Sequence, residues 1–123
     1  MKIAVTSTGK DFQSQTDPRF GRCANFIIYD TETGILKVYP NSAAEAAGGA
    51  GSQATQAVAD AGAEVVITGN LGPNAARALQ EIRIPVYRFG SGTVTEAIEQ
   101  FRAGKLELIQ GPTVASHHGT KKG

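Results

Sequence analysis

The residues best suited to chemistry lie together in one loop, residues 17–23 (Asp-Pro-Arg-Phe-Gly-Arg-Cys). This loop holds the single cysteine of the chain, two arginines and an acid. Cys23 could act as a soft metal ligand, and the neighbouring Arg22 could stabilise its thiolate. Two other roles stay open. Cys23 could be a small buried hydrophobic residue, and Asp17 could pair with Arg19 to hold the loop.

The rest of the sequence offers few groups for catalysis. No histidine precedes residue 117, so the expected folded body has no imidazole base for Ser-His or Cys-His chemistry. A single cysteine cannot complete the four-ligand shell of a structural zinc site. The first predicted strand, residues 2–7, carries no carboxylate for two-metal phosphodiester chemistry. The sequence therefore predicts a protein that is not an enzyme.

Composition predicts one globular domain. The chain has 123 residues, of which 41% are hydrophobic and 19% charged, with a formal net charge of +1. This balance argues against a dedicated nucleic-acid or membrane binder. The single cysteine and the absence of a leader-like start favour the cytoplasm. We expect a domain over residues 1–110 and a flexible tail over 111–123. The His117-His118 pair in this tail is expected to be incidental and not a metal site.

Hydrophobic periodicity predicts the order βββαβαβα. The strands are expected at residues 2–7, 25–30, 35–39, 64–68 and 85–89, and the helices at about 52–61, from Pro73 onward, and from the capping residue Thr93 to Gly104. The short turn at residues 31–34 predicts an antiparallel hairpin. Right-handed crossovers then give a three-layer α/β/α architecture on a mixed five-stranded sheet, with the fifth strand at an edge because it starts with Pro85.

Four loops should meet at one edge of this sheet. If the second strand runs against the other four, residues 9–23, 41–51, 69–72 and 90–92 share the carboxyl edge, where α/β proteins usually bind ligands. Three of these loops lead into helix N-termini, whose free N–H groups and partial positive charge attract anions. Their glycines let the backbone approach a ligand closely. The pattern predicts a pocket for an anionic ligand that could contain metal.

One segment and three later motifs resemble a known family. Residues 17–30, then Asn41 with residues 48–51, then 66–75, then 86–87 with 91–94, resemble the dinitrogenase iron–molybdenum cofactor biosynthesis family, which includes small nitrogenase accessory proteins and the carboxy-terminal domain of the cofactor-core synthase. The similarity spans about residues 1–108. It implies a ribonuclease H-like fold with sheet order 3-2-1-4-5, strand two antiparallel, and carriage of an iron–sulfur-based cofactor precursor without catalysis.

One position departs from the family pattern. Better-studied members often carry a histidine immediately before the Phe-Gly pair, where this chain has Arg19. Of the groups in this loop, only Cys23 could replace that missing cluster ligand. Many similar small proteins also occur outside nitrogen fixation, so the destination of the cargo stays open.

The leading hypothesis is a non-catalytic carrier for an iron–sulfur or iron–molybdenum-type cluster. Cys23 would ligate a metal, and the remaining binding residues would be Arg19, Phe20, Gly21, Arg22, Gly49, Gly51, Asn70, Gly72 and Ser91. The expected partners are proteins that donate and accept the cluster, and the protein itself would be a monomer or weak homodimer. Two alternatives stay open: a binding module for a phosphorylated or carboxylated metabolite, and a regulatory interaction domain.

Overall fold

The computed structural model describes residues 1–114, and the His117-His118 pair lies outside this range. Six strands and three helices follow one another in the order β1 (Lys2–Ser7), β2 (Asn25–Asp30), β3 (Leu36–Pro40), α1 (Ala50–Asp60), β4 (Val65–Thr68), α2 (Pro73–Glu81), β5 (Val86–Arg88), α3 (Val94–Arg102) and β6 (Glu107–Ile109). Within residues 1–114, no helix is both long enough and apolar enough to cross a bilayer.

The six strands form one mixed sheet in the order β3-β2-β1-β4-β5-β6. β2 runs antiparallel to both β1 and β3, whereas β1, β4 and β5 are parallel to one another. The order of the first five strands and the reversed direction of β2 agree with expectation. The predicted α/β class is therefore confirmed.

The sheet has one strand more than expected, and this corrects the position of β5. Residues 107–109 pair antiparallel with β5, so β5 is an inner strand. Pro85 is accommodated because it precedes the strand and contributes only its carbonyl, which accepts the Val66 N–H at 3.0 Å. β6 was missed because it has three residues, of which Glu107 and Leu108 are exposed and give no buried pattern.

The helices divide between the two faces of the sheet, which creates two hydrophobic cores. α1 and α2 share one face, where Ala54, Val58 and Leu79 pack with Phe26 and Val66 of the sheet. α3 covers the opposite face with Val94, Ala97 and Ile98. Sheet residues alternate between the cores, so Ala4 belongs to the first and Ile3 and Val5 to the second.

The local signals at the starts and ends of the helices act as the sequence predicts. Pro73 occupies the first turn of α2, and Thr93 with Glu96 forms a complete capping box on α3. Gly62 and Gly104 follow α1 and α3 with φ of 85° and 74°, a left-handed conformation that favours glycine. α1 begins two residues earlier than expected, at Ala50, because Gly49 serves as its N-cap with φ of 74°.

Candidate anion-binding site

A cleft of about 430 Å³ lies at the edge of the sheet where α1 and α2 begin. Its walls come from the loop after β1, the loop before α1, the start of α2 and the segment after β6. The lining residues are Arg19, Phe20, Gly21, Arg22, Ala47, Gly48, Gly49, Ala50, Gly51, Asn70, Gly72, Pro73, Asn74, Ala75 and Val114. All the predicted binding residues except Ser91 are in this set.

Ser91 lies outside this cleft, so its predicted part in binding stays a prediction. It lines a separate open cleft with Arg88 and Lys105. The loop that contains Ser91 leads into α3, which packs on the opposite face of the sheet from α1 and α2. Only two of the three glycine-containing loops that lead into helices therefore contribute to the pocket.

Asp17 and Arg19 form a bidentate ion pair at the pocket. The Nε and Nη2 atoms of Arg19 donate to the two carboxylate oxygens of Asp17 at 3.1 and 3.0 Å, and the Arg19 backbone N–H donates to Oδ1 at 3.0 Å. Asp17 is 3% exposed, whereas the Arg19 side chain is 64% exposed. The hydrogen bonds and negative charge of Asp17 raise the pKa of Arg19. A fixed, permanently charged guanidinium therefore borders the cleft.

Hydrogen bonds from the ends of β1 and β4 hold residues 17–23 in place. The N–H of Asp17 donates to the Thr6 carbonyl at 2.9 Å, and the Thr6 hydroxyl donates to the Asp17 carbonyl at 2.6 Å. The N–H of Asn70, just after β4, donates to the Pro18 carbonyl at 2.7 Å. Residues 17–23, called the arginine loop below, and the loop leading into α2 thus form one connected wall of the cleft.

Arg22 organises the loop before α1. Its Nη1 atom donates to the carbonyls of Ala44 and Ala46 at 2.9 and 2.7 Å. The expectation that Arg22 stabilises a Cys23 thiolate is therefore corrected, because its guanidinium hydrogen-bonds to that loop. Arg22 still lines the cleft and adds positive charge there.

Cys23 lies in the hydrophobic core and outside the cleft lining. Its side chain is 0% exposed and packs with Phe20, Phe26 and Ala54. Burial, reinforced by the negative charge of Asp17, raises the pKa of the thiol to about 12. The thiol is therefore protonated at neutral pH, and the structure does not bring it to the pocket as a metal ligand. Its place is that of a small buried hydrophobic residue.

Asn41 is part of the sequence motifs, and its buried side chain connects the arginine loop to the loop before α1. Its Nδ2 atom donates to the carbonyls of Gly21 and Cys23 at 3.0 and 2.9 Å, and its Oδ1 accepts the Ala43 N–H at 3.1 Å. The side chain is buried and its hydrogen bonds are satisfied. Asn41 therefore supports the cleft without contacting a ligand.

Two glycines of the site serve helix packing more than ligand contact. A Cβ atom on Gly51 would lie 3.0 Å from the Ala75 nitrogen, and one on Gly21 would lie 3.2 Å from the Gly51 nitrogen. Gly21, Gly51 and Ala75 therefore let the arginine loop and the starts of α1 and α2 approach closely. Gly48 and Gly72 differ, because a Cβ atom there would meet nothing within 4 Å.

Both helices that begin at the cleft lack side-chain caps within residues 1–114. Their N-cap residues are Gly49 and Gly72, and neither helix has an acidic residue in its first turn. α3, on the other face, has the Thr93 hydroxyl and the Glu96 carboxylate in these roles. The first turns of α1 and α2 line the cleft and have no side-chain cap in residues 1–114, so both helix dipoles add positive potential there.

The cleft offers hydrogen-bond donors and positive charge, and the part of its lining that residues 1–114 supply contains no thiol, imidazole or carboxylate. Nor does any group of three or more His, Cys, Asp or Glu side chains lie together within residues 1–114. A bare metal ion would therefore find no ligand set in this part of the chain. An anion, including a metal-containing anion that carries its own ligands, fits the donors.

Sequence reasoning missed several lining residues. Asn74 and Ala75 occupy the start of α2 and could have been added from their place in the Asn-Leu-Gly-Pro-Asn-Ala motif. Val114 gives no such signal, because it stands alone in a polar tail sequence. It reaches the cleft because Thr113 and Val114 both donate backbone N–H bonds to the Leu71 carbonyl, at 2.8 and 3.1 Å.

Residues 1–104 match the dinitrogenase iron–molybdenum cofactor family. The match covers most of the chain, and the chain therefore belongs to this family. The resemblance seen in the sequence is confirmed.

Individual relatives agree with this assignment. An uncharacterised protein of Methanocaldococcus jannaschii is 32% identical over 113 residues, which are 89% of this chain and 92% of that protein. The apo form of the orange protein of Desulfovibrio gigas has a TM-score of 0.88 and 37% identity, covering 92% of this chain and 96% of that one. A NifB-like Thermotoga protein has a TM-score of 0.82 and 42% identity, covering 92% and 97%.

Proposed function

We propose that this protein is a non-catalytic carrier for an anionic metal–sulfur cofactor or its precursor, of the iron–sulfur or iron–molybdenum type. The family assignment supports a role in metal-cofactor handling. The observation that carries the proposal is the cleft itself. Two uncapped helix N-termini and two arginines converge there, and no Cys, His, Asp or Glu among the described residues lines it.

This donor set defines how the cargo would be held. The sulfido groups of a metal–sulfur cluster are hydrogen-bond acceptors, and the cluster's net charge is negative. Backbone N–H groups at the starts of α1 and α2 and the guanidinium of Arg19 can donate to such groups. The cluster would keep its own inorganic ligands, and no covalent bond to the protein would have to break on release. Such a site suits a carrier that hands its cargo to another protein.

Under this proposal the protein works with others in the cytoplasm. One protein would supply the cluster and another would accept it. The open cleft leaves part of the cargo accessible to an acceptor while residues 19–22 and 48–51 hold the remainder.

The test is anaerobic incubation of the full chain with four probes in parallel: iron plus sulfide, molybdate, tetrathiomolybdate and phosphate. Each sample is desalted and analysed for metal content and visible absorption. We expect stoichiometric retention of a sulfur-containing metal species, and weaker retention of molybdate because its oxygen atoms are more strongly hydrated. Protein that stays metal-free and colourless after every incubation would contradict the proposal.

A second candidate function is the binding of a small phosphorylated or carboxylated metabolite. The uncapped helix N-termini favour metabolite binding as much as they favour cluster binding, because phosphate groups bind at such helix ends. A thermal-shift panel of nucleotides, sugar phosphates and carboxylates under metal-free conditions distinguishes the two. A metabolite that raises Tm while metal–sulfur probes do not would select this second function.

A further inference from the structure

The segment after β6 returns to the cleft through Thr113. The backbone N–H of Thr113 donates to the Leu71 carbonyl at 2.8 Å. The Thr113 hydroxyl oxygen accepts the Leu71 N–H at 2.8 Å and lies 3.2 Å from Oδ1 of Asn70. Thr113 lies beyond residues 1–104, the part of the chain that matches the family.

The hydrogen-bonding capacity of the hydroxyl group fixes which way the Asn70 amide faces. The Leu71 carbonyl, 3.4 Å from the hydroxyl, already accepts the N–H groups of Thr113 and Val114 at 2.8 and 3.1 Å. The single hydrogen of the hydroxyl therefore goes to Oδ1 of Asn70, at 3.2 Å. The carbonyl end of the Asn70 amide is thus turned toward Thr113. Its Nδ2 group, which makes no hydrogen bond within residues 1–114, is left for the cleft that Asn70 lines.

We propose that Thr113 is a positioning residue that selects for anionic cargo by holding the Asn70 amide with its N–H groups toward the cleft. This inference rests on the proposed function, since it concerns the same site. If the amide rotated by half a turn, it would present an acceptor oxygen to the anion, and an attractive contact would become a repulsive one. The segment after β6 is then part of the binding site.

The test uses the full chain and measures the affinity for tetrathiomolybdate, a dianion that carries its own sulfido ligands. Thr113→Val removes the hydroxyl at nearly constant volume, and we expect it to weaken binding about three- to tenfold, the usual range for one hydrogen bond. Thr113→Ser keeps the hydroxyl and should bind as the wild type does. The Thr113 backbone bond to Leu71 is unaffected by either change, and thermal unfolding verifies that both variants fold.

A double-mutant cycle separates positioning from a structural effect. In the Asn70→Ala background, Thr113→Val should cause no further loss, because the amide it orients is absent. The same loss in both backgrounds, or a Thr113→Val variant that binds like the wild type, would overturn the inference and leave the proposed function standing. A wild type that binds no tetrathiomolybdate would overturn both.

Discussion

A buried carboxylate determines how the arginine at the mouth of the cleft can act. Asp17 holds Arg19 by three hydrogen bonds and leaves most of the guanidinium surface in contact with solvent. The pair could be anticipated from the spacing of two residues in the sequence. The carbonyl partners of Arg22 could not, because Ala44 and Ala46 come from a distant loop of small residues with no polar side chains to mark them.

Cys23 illustrates why residue type alone misleads. A lone cysteine beside an arginine is compatible with a reactive thiolate or with a buried hydrophobic residue, and the structure places the side chain in the core. Local sequence does not encode this direction, and the residue that holds the Gly21 and Cys23 carbonyls, Asn41, is distant in sequence. The result is a thiol whose pKa is raised to about 12.

This raised pKa predicts a pH dependence of stability. An unfolded thiol ionises near pH 8.5, whereas the folded thiol keeps its proton until about pH 12. Between these values the folded state binds more protons, so the free energy of unfolding falls as pH rises, by up to about 1.4 kcal/mol per pH unit. Below pH 8 the thiol contributes no pH dependence.

Urea unfolding of the wild type and of Cys23→Ala, at intervals from pH 7 to 10.5, measures this effect. The wild type should lose stability relative to the variant as pH rises above about 8.5, and the difference between the two isolates Cys23 from the tyrosines and lysines. Parallel pH profiles would mean that the thiol ionises freely in the folded state, against the burial described here.

At the scale of elements, the important feature is the pair of helix N-termini. α1 and α2 start side by side because Gly21, Gly51 and Ala75 allow close approach, and both start with glycine at the N-cap. A natural helix N-cap is usually Ser, Thr, Asp or Asn. Leaving two adjacent ends without such residues keeps their N–H groups available for an anion.

Gly72→Asp should therefore change stability and binding in opposite directions. The backbone at Gly72 is extended (φ −80°, ψ 173°), as an N-cap requires, and a Cβ atom there meets nothing within 4 Å. The carboxylate would accept a hydrogen bond from the Asn74 or Ala75 N–H. Its negative charge would also interact favourably with the positive end of the helix dipole, so the substitution should stabilise the protein by about 0.3–1 kcal/mol. The same carboxylate would occupy and repel the anion site, so tetrathiomolybdate affinity should fall more than tenfold.

Gly72→Asn is the matched control, because it caps the helix without adding charge. We expect it to stabilise the fold to a similar or smaller extent and to weaken binding less than the aspartate does. Thermal unfolding and equilibrium binding of both variants give the comparison. An aspartate variant that is stabilised but binds with wild-type affinity would show that the anion does not use the start of α2.

At the scale of the whole molecule, most of the fold could be predicted from the sequence because every element except β6 has a local signal. The signals are short runs of β-branched and apolar residues for the strands, and the Pro73 helix start, the Thr93–Glu96 capping box and the glycines that follow helices for the helices. β6 and the return of Val114 to the cleft have no such signal, because both depend on pairing with elements distant in sequence.

Most of the candidate site, like most of the fold, could be predicted from the sequence. The convergence of loops at one sheet edge follows from topology, so eight of nine predicted binding residues line the cleft. Ser91 does not, because strand order alone does not say which face each helix covers. That choice separates the loop of α3 from those of α1 and α2.

The most direct test of the central claim compares metal retention by three proteins: the wild type, Cys23→Ala and Gly72→Asp. Each is incubated anaerobically with tetrathiomolybdate, desalted and analysed for molybdenum per chain. If donors at the helix N-termini hold the cargo, Cys23→Ala should retain as much metal as the wild type and Gly72→Asp should retain almost none. Loss of metal from Cys23→Ala together with full retention by Gly72→Asp would contradict the account and show that the thiol is the ligand.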